Sequence, residues 1–139
     1  MRKAIRPSWG GARRGAGKPA RSAIASEPHK RRPPLARGES VHVVARVARD
    51  VGLVGTSARA AIERAVALSL RRPDFRIVHH AIAGRTRSVE LVVEADDRLA
   101  LARGMQGFQV AAARGLNRAA SRSGTVFPDR YRCLRWRRA

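Results

Sequence analysis

The chain has 139 residues and a formal charge of +20, from 30 lysines and arginines against 10 acidic residues. This length accommodates one compact domain and a tail, and leaves little room for a second core. A single cysteine excludes a disulfide framework and a cysteine-based zinc site, and no apolar run approaches the length of a membrane span. So large a positive charge favours a polyanionic partner, and nucleic acid is the first that we consider.

Residues 1–40 differ in composition from the rest of the chain. They include 11 lysines and arginines, several glycines and prolines, and only two acidic residues. Low hydrophobicity with high net charge does not repay the entropy of ordering, so we predict a disordered basic arm over 1–40 and a folded domain over 41–139. The basic N-terminus has no apolar segment behind it, so we expect a cytoplasmic protein, associated with the nucleoid if it binds DNA.

Hydrophobic patterns predict six elements in the domain. Alternation with period two predicts strands at 41–47, 75–83 and 88–94, and a last strand across 125–127 and 130–134. A period of 3.6 predicts one helix from Thr56 or Ser57 to about Arg71, and another from a cap at Asp96 or Asp97 to about Ser121. This order is the split βαβ pattern of a ferredoxin-like α+β sandwich, whose two helices cover one face of an antiparallel sheet.

Arginines of the second predicted helix and the last predicted strand form the strongest candidate surface. Four of them recur on one stripe of the helix, roughly opposite its apolar stripe. A guanidinium matches phosphate in shape and charge, so we predict contacts to a nucleic-acid backbone, with a solvated helix face as the alternative. The predicted residues are Arg103, Arg114, Arg118, Arg122, Arg130 and Arg132. Gly104 and Gly107, beside the stripe, either admit a phosphate backbone or serve helix–sheet packing.

The candidate catalytic and metal-binding residues are few. His79 and His80 point to opposite faces of one strand, so the two cannot share a metal ion. If the first three strands are neighbours, His42, Glu90 and one of these histidines could hold a divalent cation; solvated sheet histidines are the alternative. Tyr131, the only tyrosine, is a candidate nucleophile or base-stacking ring, or else it packs at the edge of the sheet.

Five segments, in order, carry a resemblance to a known family. They read FRIVH (75–79), LVVEADDR (91–98), LARGMQG (101–107), AARGLNR (112–118) and GTVFPDRYR (124–132). The region 41–134 resembles the REP-associated tyrosine transposases, which belong to the single-tyrosine HUH (His-hydrophobic-His) superfamily. The resemblance implies a ferredoxin-like fold that nicks and joins single-stranded DNA. In that family two strand histidines hold Mg²⁺ or Mn²⁺, and a tyrosine on a helix after the last strand attacks the phosphate.

The catalytic positions depart from the family pattern. By register from residues 94–97, Ser88 and Glu90 stand where the family has its two metal histidines, and serine is a weak metal ligand. Tyr131 matches a strand tyrosine of the family motif, and we expect this chain to lack the helix that carries the family's nucleophile. The resemblance therefore implies a degenerate, C-terminally shortened relative without a cofactor, with Mg²⁺ or Mn²⁺ only if some activity remains.

These patterns together predict a DNA-binding protein that favours single strands or hairpins and does not cut them. An RNA-binding ferredoxin-like module is one alternative, which the scarcity of aromatic residues disfavours. A residually active, metal-dependent DNA-nicking enzyme is another. We expect no membrane partner, and the sequence leaves a homodimer open.

Overall fold

The computed structural model describes residue 32 and residues 34–135, so most of the predicted basic arm lies outside the described residues. Its elements are β1 (Ser40–Arg46), α1 (Thr56–Ser69), β2 (Phe75–Ala83), β3 (Ser88–Ala95), α2 (Arg98–Ala119) and β4 (Arg132–Arg135). The four strands form one antiparallel sheet in the order β2-β3-β1-β4. The predicted ferredoxin-like α+β fold is therefore confirmed. Neither described helix is long and apolar enough to cross a membrane.

The sheet presents one face to the helices and the other away from them. Along β1, Val41, Val43 and Ala45 are buried while the residues between them are half-buried. Val43 pairs with Leu91 of β3, and both belong to the same core as the buried side of α2. The opposite face, which we call the open face, is formed by the even-numbered residues of β1, β3 and β4, with Arg76, His79, Ala81 and Ala83 of β2.

A β-bulge in β2 decides which histidine reaches the open face. Ile77 pairs with Val93 and His79 pairs with Val92, so Val78 is an additional residue between two consecutive cross-strand pairs. The bulge places His79 on the open face and His80 on the helix side. The prediction that these histidines occupy opposite faces is confirmed.

The two helices begin in different ways. The Asp97 side chain accepts a hydrogen bond from the Ala100 amide at 2.7 Å, which confirms one of the two predicted caps of α2. The predicted cap of α1 is wrong, because its N-cap is Gly55, with φ 108°, and no side chain caps this end. Glycine adopts a positive φ without a steric penalty, so the chain turns into the helix directly before Thr56.

The predicted strand at 125–127 is also wrong. Val126 is buried, which explains the strand-like apolar signal. Its carbonyl accepts a hydrogen bond from the Ala48 amide at 2.8 Å, beyond the end of β1. Ladder pairing with β1 starts only at Arg132, which lies opposite Val44. Residues 125–127 therefore form a loop, with Val126 buried, that leads into a short edge strand.

Helix α2 packs directly against the Phe75 ring of β2 at Gly104. A Cβ atom on Gly104 would lie 2.1 Å from the Phe75 ring, whereas a Cβ on Gly107 would meet nothing within 4 Å. Of the two roles predicted for these glycines, Gly104 has the packing role. The bare backbone at this position sets the height of α2 above the sheet.

The two glycines make a matched pair for a stability measurement. Gly104→Ala should lower the free energy of unfolding by about 1 kcal/mol or more, because overpacking at Phe75 outweighs the better helix propensity of alanine. Gly107→Ala should raise it by up to about 1 kcal/mol, since only the propensity changes. Urea denaturation followed by circular dichroism measures both. Equal stabilisation of the two variants would contradict the packing of Gly104 on Phe75.

Candidate nucleic-acid interface

The two helices carry a surplus of positive charge on the side that faces away from the sheet. Their sequences contain six arginines and a single acidic residue, Glu63. Five of the six lie in one layer above the sheet, and we call them the helix-layer arginines: Arg59, Arg64, Arg103, Arg114 and Arg118. Each of these arginines is exposed to solvent. The layer therefore has the charge and exposure that a phosphate backbone requires.

Most of these guanidinium groups have no acidic neighbour. Arg59 lies 3.7 Å from Glu63, one turn along α1, and both side chains are exposed. Among the residues that the structure describes, no carboxylate lies within 4.0 Å of Arg103, Arg114 or Arg118. These three lie within about 60° of one another around α2 at 3.6 residues per turn. They therefore present uncompensated charge in nearly one direction.

A groove separates the outer surfaces of the two helices. Gly115 of α2 faces Ala61 of α1, where an added Cβ atom would come within 3.1 Å of the Ala61 Cβ. Beside this close approach lies a groove of about 390 Å³, with Arg64 on one wall and Arg118 on the other. Small residues and hydroxyl groups form the rest of its lining: Thr56, Ser57, Ala60, Gly115 and Ala119. The groove extends the basic surface from α2 onto α1.

The open face of the sheet is nearly balanced in charge. Arg76 donates to Glu94 at 2.5 Å, and His42 lies 3.9 Å from Glu90. Arg46, at the end of β1, donates to Asp129 at 3.0 Å. Because Arg46 and Arg76 face carboxylates at close range, this part of the open face attracts a polyanion less than the helix layer does.

The six arginines predicted as one phosphate-binding surface are divided by the fold. Arg103, Arg114 and Arg118 share the exposed side of α2. Arg132 lies on the open face, on the other side of the sheet, and Arg130 lines a separate pocket near the start of α2. The prediction of a single continuous surface is therefore corrected to three exposed helix positions, with the remaining residues elsewhere.

The Arg122 side chain makes contacts within the protein instead of facing solvent. Its side chain is 15 % exposed and donates to Asp50 at 2.8 Å and to the Asn117 side chain at 2.5 Å. The hydrogen bond from Arg122 is the main reason that the pKa of Asp50 is lowered. Since α2 ends at Ala119, Arg122 does not continue the helical stripe, and it ties the end of this helix to the loop after β1.

The residues predicted to hold a metal ion come together only in part. Ser88 and Glu90 share the open face, as their spacing predicts. Ser88 is buried, however, and its hydroxyl is 2.8 Å from that of Thr86. His42 and Glu90 do converge, but His79 lies across Val92 from His42. No group of three or more metal-ligating side chains occurs among the residues that the structure describes.

Tyr131 packs at the beginning of the edge strand, with 8 % of its surface exposed. The Arg32 guanidinium lies 3.8 Å from the centre of its ring, and an Arg32 Nη donates to its carbonyl oxygen at 2.6 Å. Burial raises the pKa of the Tyr131 phenol, against a smaller opposing effect of Arg32. A tyrosine nucleophile acts as a phenolate, so this environment disfavours the catalytic role and matches the packing alternative.

Sequence reasoning missed several arginines that shape the surface. Arg59 and Arg64 lie on α1, outside its apolar stripe; the scarcity of acidic residues on the two helices, with Glu63 alone, is the signal that indicates them. Arg32 falls within the segment predicted as a disordered arm, yet it stacks on Tyr131. The Arg87 guanidinium donates to the carbonyls of Ala48, Arg49 and Val51. Contacts between residues so far apart in sequence leave no pattern in the local sequence.

Because Tyr131 is the only tyrosine, its titration can be read without interference from another phenol. The raised pKa predicts an absorbance step near 295 nm with a midpoint above 10, the ordinary value for tyrosine. Unfolding in urea should return the midpoint to about 10. Since the unfolded chain loses the proton first, stability should also fall as the pH rises above about 10. A native midpoint at or below 10 would contradict the buried, neutral phenol.

Comparisons with known proteins do not indicate a function for this chain. No family model and no curated protein matches the chain. Among solved structures, it is similar to a C-terminal segment of the α subunit of aIF2 from Pyrococcus abyssi, with a TM-score of 0.49 and 11% identity. The likeness covers 80% of this chain and 55% of that one, so the chain spans little more than half the length of that structure. Likeness at this level carries no information about activity or ligands.

Proposed function

We propose that this protein binds DNA, as hairpins or single strands, through contacts between its helix-layer arginines and backbone phosphates, and that it does not cut the strand. The observation that carries the proposal is the surplus of exposed arginine over acidic residues on α1 and α2, beside a charge-balanced open face. Neutralising phosphates releases condensed counterions, which supplies most of the affinity in binding of this kind.

The spacing of the arginines suits a contact along a backbone. Arg103 and Arg118 are 15 residues apart on α2, which is about 22 Å along a helix axis at 1.5 Å per residue. That length corresponds to about six or seven base steps of a duplex at 3.4 Å per step. Arg64, across the groove, widens the basic strip by one helix. A hairpin stem would therefore contact several arginines at once.

The proposal of binding without cleavage rests on the environment of the residues that would act. Tyr131 is buried with a raised pKa, and Ser88 is buried beside Thr86. Glu90 faces His42. These arrangements support a scaffold that holds DNA, in line with the degenerate active site that the family resemblance implies.

RNA binding by stacking on the sheet has less support. Modules of that kind need two or three exposed aromatic rings on the sheet. On the open face, as far as the structure describes it, the side chains are histidine, small aliphatic, hydroxyl or charged residues together with Leu134, and none is Phe, Tyr or Trp. A helix-layer contact to phosphates does not itself exclude RNA, so matched RNA and DNA hairpins are compared in the test.

A triple variant tests the helix layer. Arg103→Gln, Arg114→Gln and Arg118→Gln, combined, should lower the affinity for a DNA hairpin by about 10- to 100-fold at 0.1 M salt. The slope of log K against log salt should become shallower by about 2 to 3 units, because each lost duplex phosphate contact removes about 0.9. Fluorescence anisotropy over a range of salt concentrations measures both quantities.

The matched control removes the same charge from elsewhere on the surface. Arg37, Arg71 and Arg85 are exposed and lie in the connections outside the helix layer, so their combined change to Gln should leave most of the slope intact. Both triple variants should unfold at nearly the wild-type temperature, since exposed substitutions cost little. Equal losses in the two triple variants would contradict the proposal. Tighter binding of the RNA hairpin, or Mn²⁺-dependent nicking of the DNA hairpin, would contradict the DNA-binding and non-cutting parts respectively.

A further inference from the structure

The groove between α1 and α2 has the size of a site for one small group. Its volume of about 390 Å³ is close to the lower limit, about 300 Å³, of ligand sites in proteins. Part of its lining comes from the small residues Ala60, Gly115 and Ala119. Arg64 and Arg118 line it from the two different helices. The groove therefore leaves space between its two arginines for one phosphate group, and it is too small to enclose a duplex.

The two arginines of the groove face each other without a counterion. Among the residues that the structure describes, no carboxylate lies within 4.0 Å of Arg64 or Arg118. The Arg64 Nε donates to the Ala60 carbonyl oxygen at 3.3 Å, which ties this side chain to a residue of the lining. Two guanidinium groups on the walls of one small groove repel each other, and an anion between them replaces that repulsion with two attractions.

The remaining polar groups of the groove are hydroxyls. Thr56 and Ser57, both exposed, belong to the lining, and each hydroxyl can donate a hydrogen bond to a phosphate oxygen. The lining, as far as the structure describes it, contains no acidic residue. Guanidinium and hydroxyl groups are common donors to phosphate oxygens in protein–DNA complexes. The groove therefore combines the donors that a phosphate needs with the absence of a competing carboxylate in its lining.

We propose that this groove holds one phosphodiester of a bound DNA strand, and that Arg64 and Arg118 contact that same phosphate from opposite sides. The inference rests on the proposed function, because the helix layer must first bring the strand to the groove. It adds that two arginines on different helices act as one unit, so the bound backbone crosses from α2 to α1 at this point. A free phosphate ion presents the same chemistry, and the experiment separates the two sources.

A double-mutant cycle tests whether the two arginines share one phosphate. Arg64→Gln and Arg118→Gln should each weaken the binding of a DNA hairpin about fourfold at 0.1 M salt, and the double variant should lose little more, because either change alone already breaks the shared contact. The slope of log K against log salt should become shallower by about 0.9 in the double variant, which is the value for one duplex phosphate. Fluorescence anisotropy measures both quantities.

Arg103 and Arg118 form the matched control pair, because about 22 Å of helix axis separates them and one phosphate cannot contact both. Their combined change to Gln should weaken binding about 16-fold, as two independent fourfold losses multiply, and should flatten the slope by about 1.8. If the losses at Arg64 and Arg118 also multiplied, the shared phosphate would be overturned while the helix layer remained supported. Unchanged binding in all these variants would instead contradict the proposed function itself.

A change that blocks the groove without altering its charge gives a second test. Ala119 is exposed and belongs to the lining, so Ala119→Leu should weaken hairpin binding about as much as either single arginine variant. Ala102→Leu is the control, since it makes the same change at an exposed position of α2 outside the groove, and it should leave the affinity unchanged. Both variants should unfold at nearly the wild-type temperature. Equal affinities of the two variants would contradict binding in the groove.

Inorganic phosphate tests the second source on the full-length chain without DNA. Amide NMR shifts that cluster at residues 56–60 and 115–119, and that Ala119→Leu removes, would support the groove as a phosphate site even if the hairpin failed to bind. Such shifts together with multiplying arginine losses would assign the groove to free phosphate and overturn its role in holding the strand. Coupled losses without such shifts would assign it to strand phosphates alone. Neither coupled losses nor clustered shifts would overturn the site altogether.

Discussion

The distribution of carboxylates determines where this strongly basic protein can hold a polyanion. The described residues contain nineteen arginines and nine acidic residues. Seven of the nine acidic residues lie within 4.0 Å of a basic side chain, Asp97 caps α2, and Glu39 accepts a backbone amide. Only Glu63 belongs to a helix. On the two helices, Arg64, Arg103, Arg114 and Arg118 have no carboxylate within 4.0 Å among the described residues, whereas Arg46 and Arg76 of the sheet are paired.

The packing of the two helices brings their arginines together on one surface. Gly104 lets α2 settle against Phe75, and Gly115 lets α1 and α2 approach each other at Ala61. With their apolar sides facing the sheet, the two helices direct Arg64 and Arg118 to opposite walls of one groove. At the start of the edge strand, the Arg32 guanidinium stacks on the Tyr131 ring and donates to the Tyr131 carbonyl.

The order and type of the elements could be predicted from sequence because the signals were local. The strand predicted at 75–83 matches the bounds of β2, Phe75–Ala83, and an aspartate ahead of an apolar stripe predicts the Asp97 cap. Local patterns failed where the backbone changes direction. Val126 is buried beyond the end of β1, outside the ladder, and the bulge at Val78 shifts every later side chain of β2 to the other face.

The same distinction applies to the candidate site. Helical periodicity correctly groups Arg103, Arg114 and Arg118, but it cannot show that the helix ends at Ala119 and that Arg122 turns inward to Asp50. Nor can it show that Arg132 faces the other side of the sheet. These outcomes depend on contacts between residues distant in sequence. The charge surplus is visible from composition, but the placement of arginines from α1 and α2 in one layer depends on the fold.

The central claim, that the helix layer is the DNA-binding surface, is tested most directly by mapping the contact on the folded protein. A ¹⁵N-labelled full-length chain is titrated with an unlabelled DNA hairpin, and backbone amide shifts are followed. We expect the largest shifts on the outer residues of α1 and α2, around Arg64, Arg114 and Arg118. Largest shifts on the open face, around Val44, Glu90 and Val92, would contradict it.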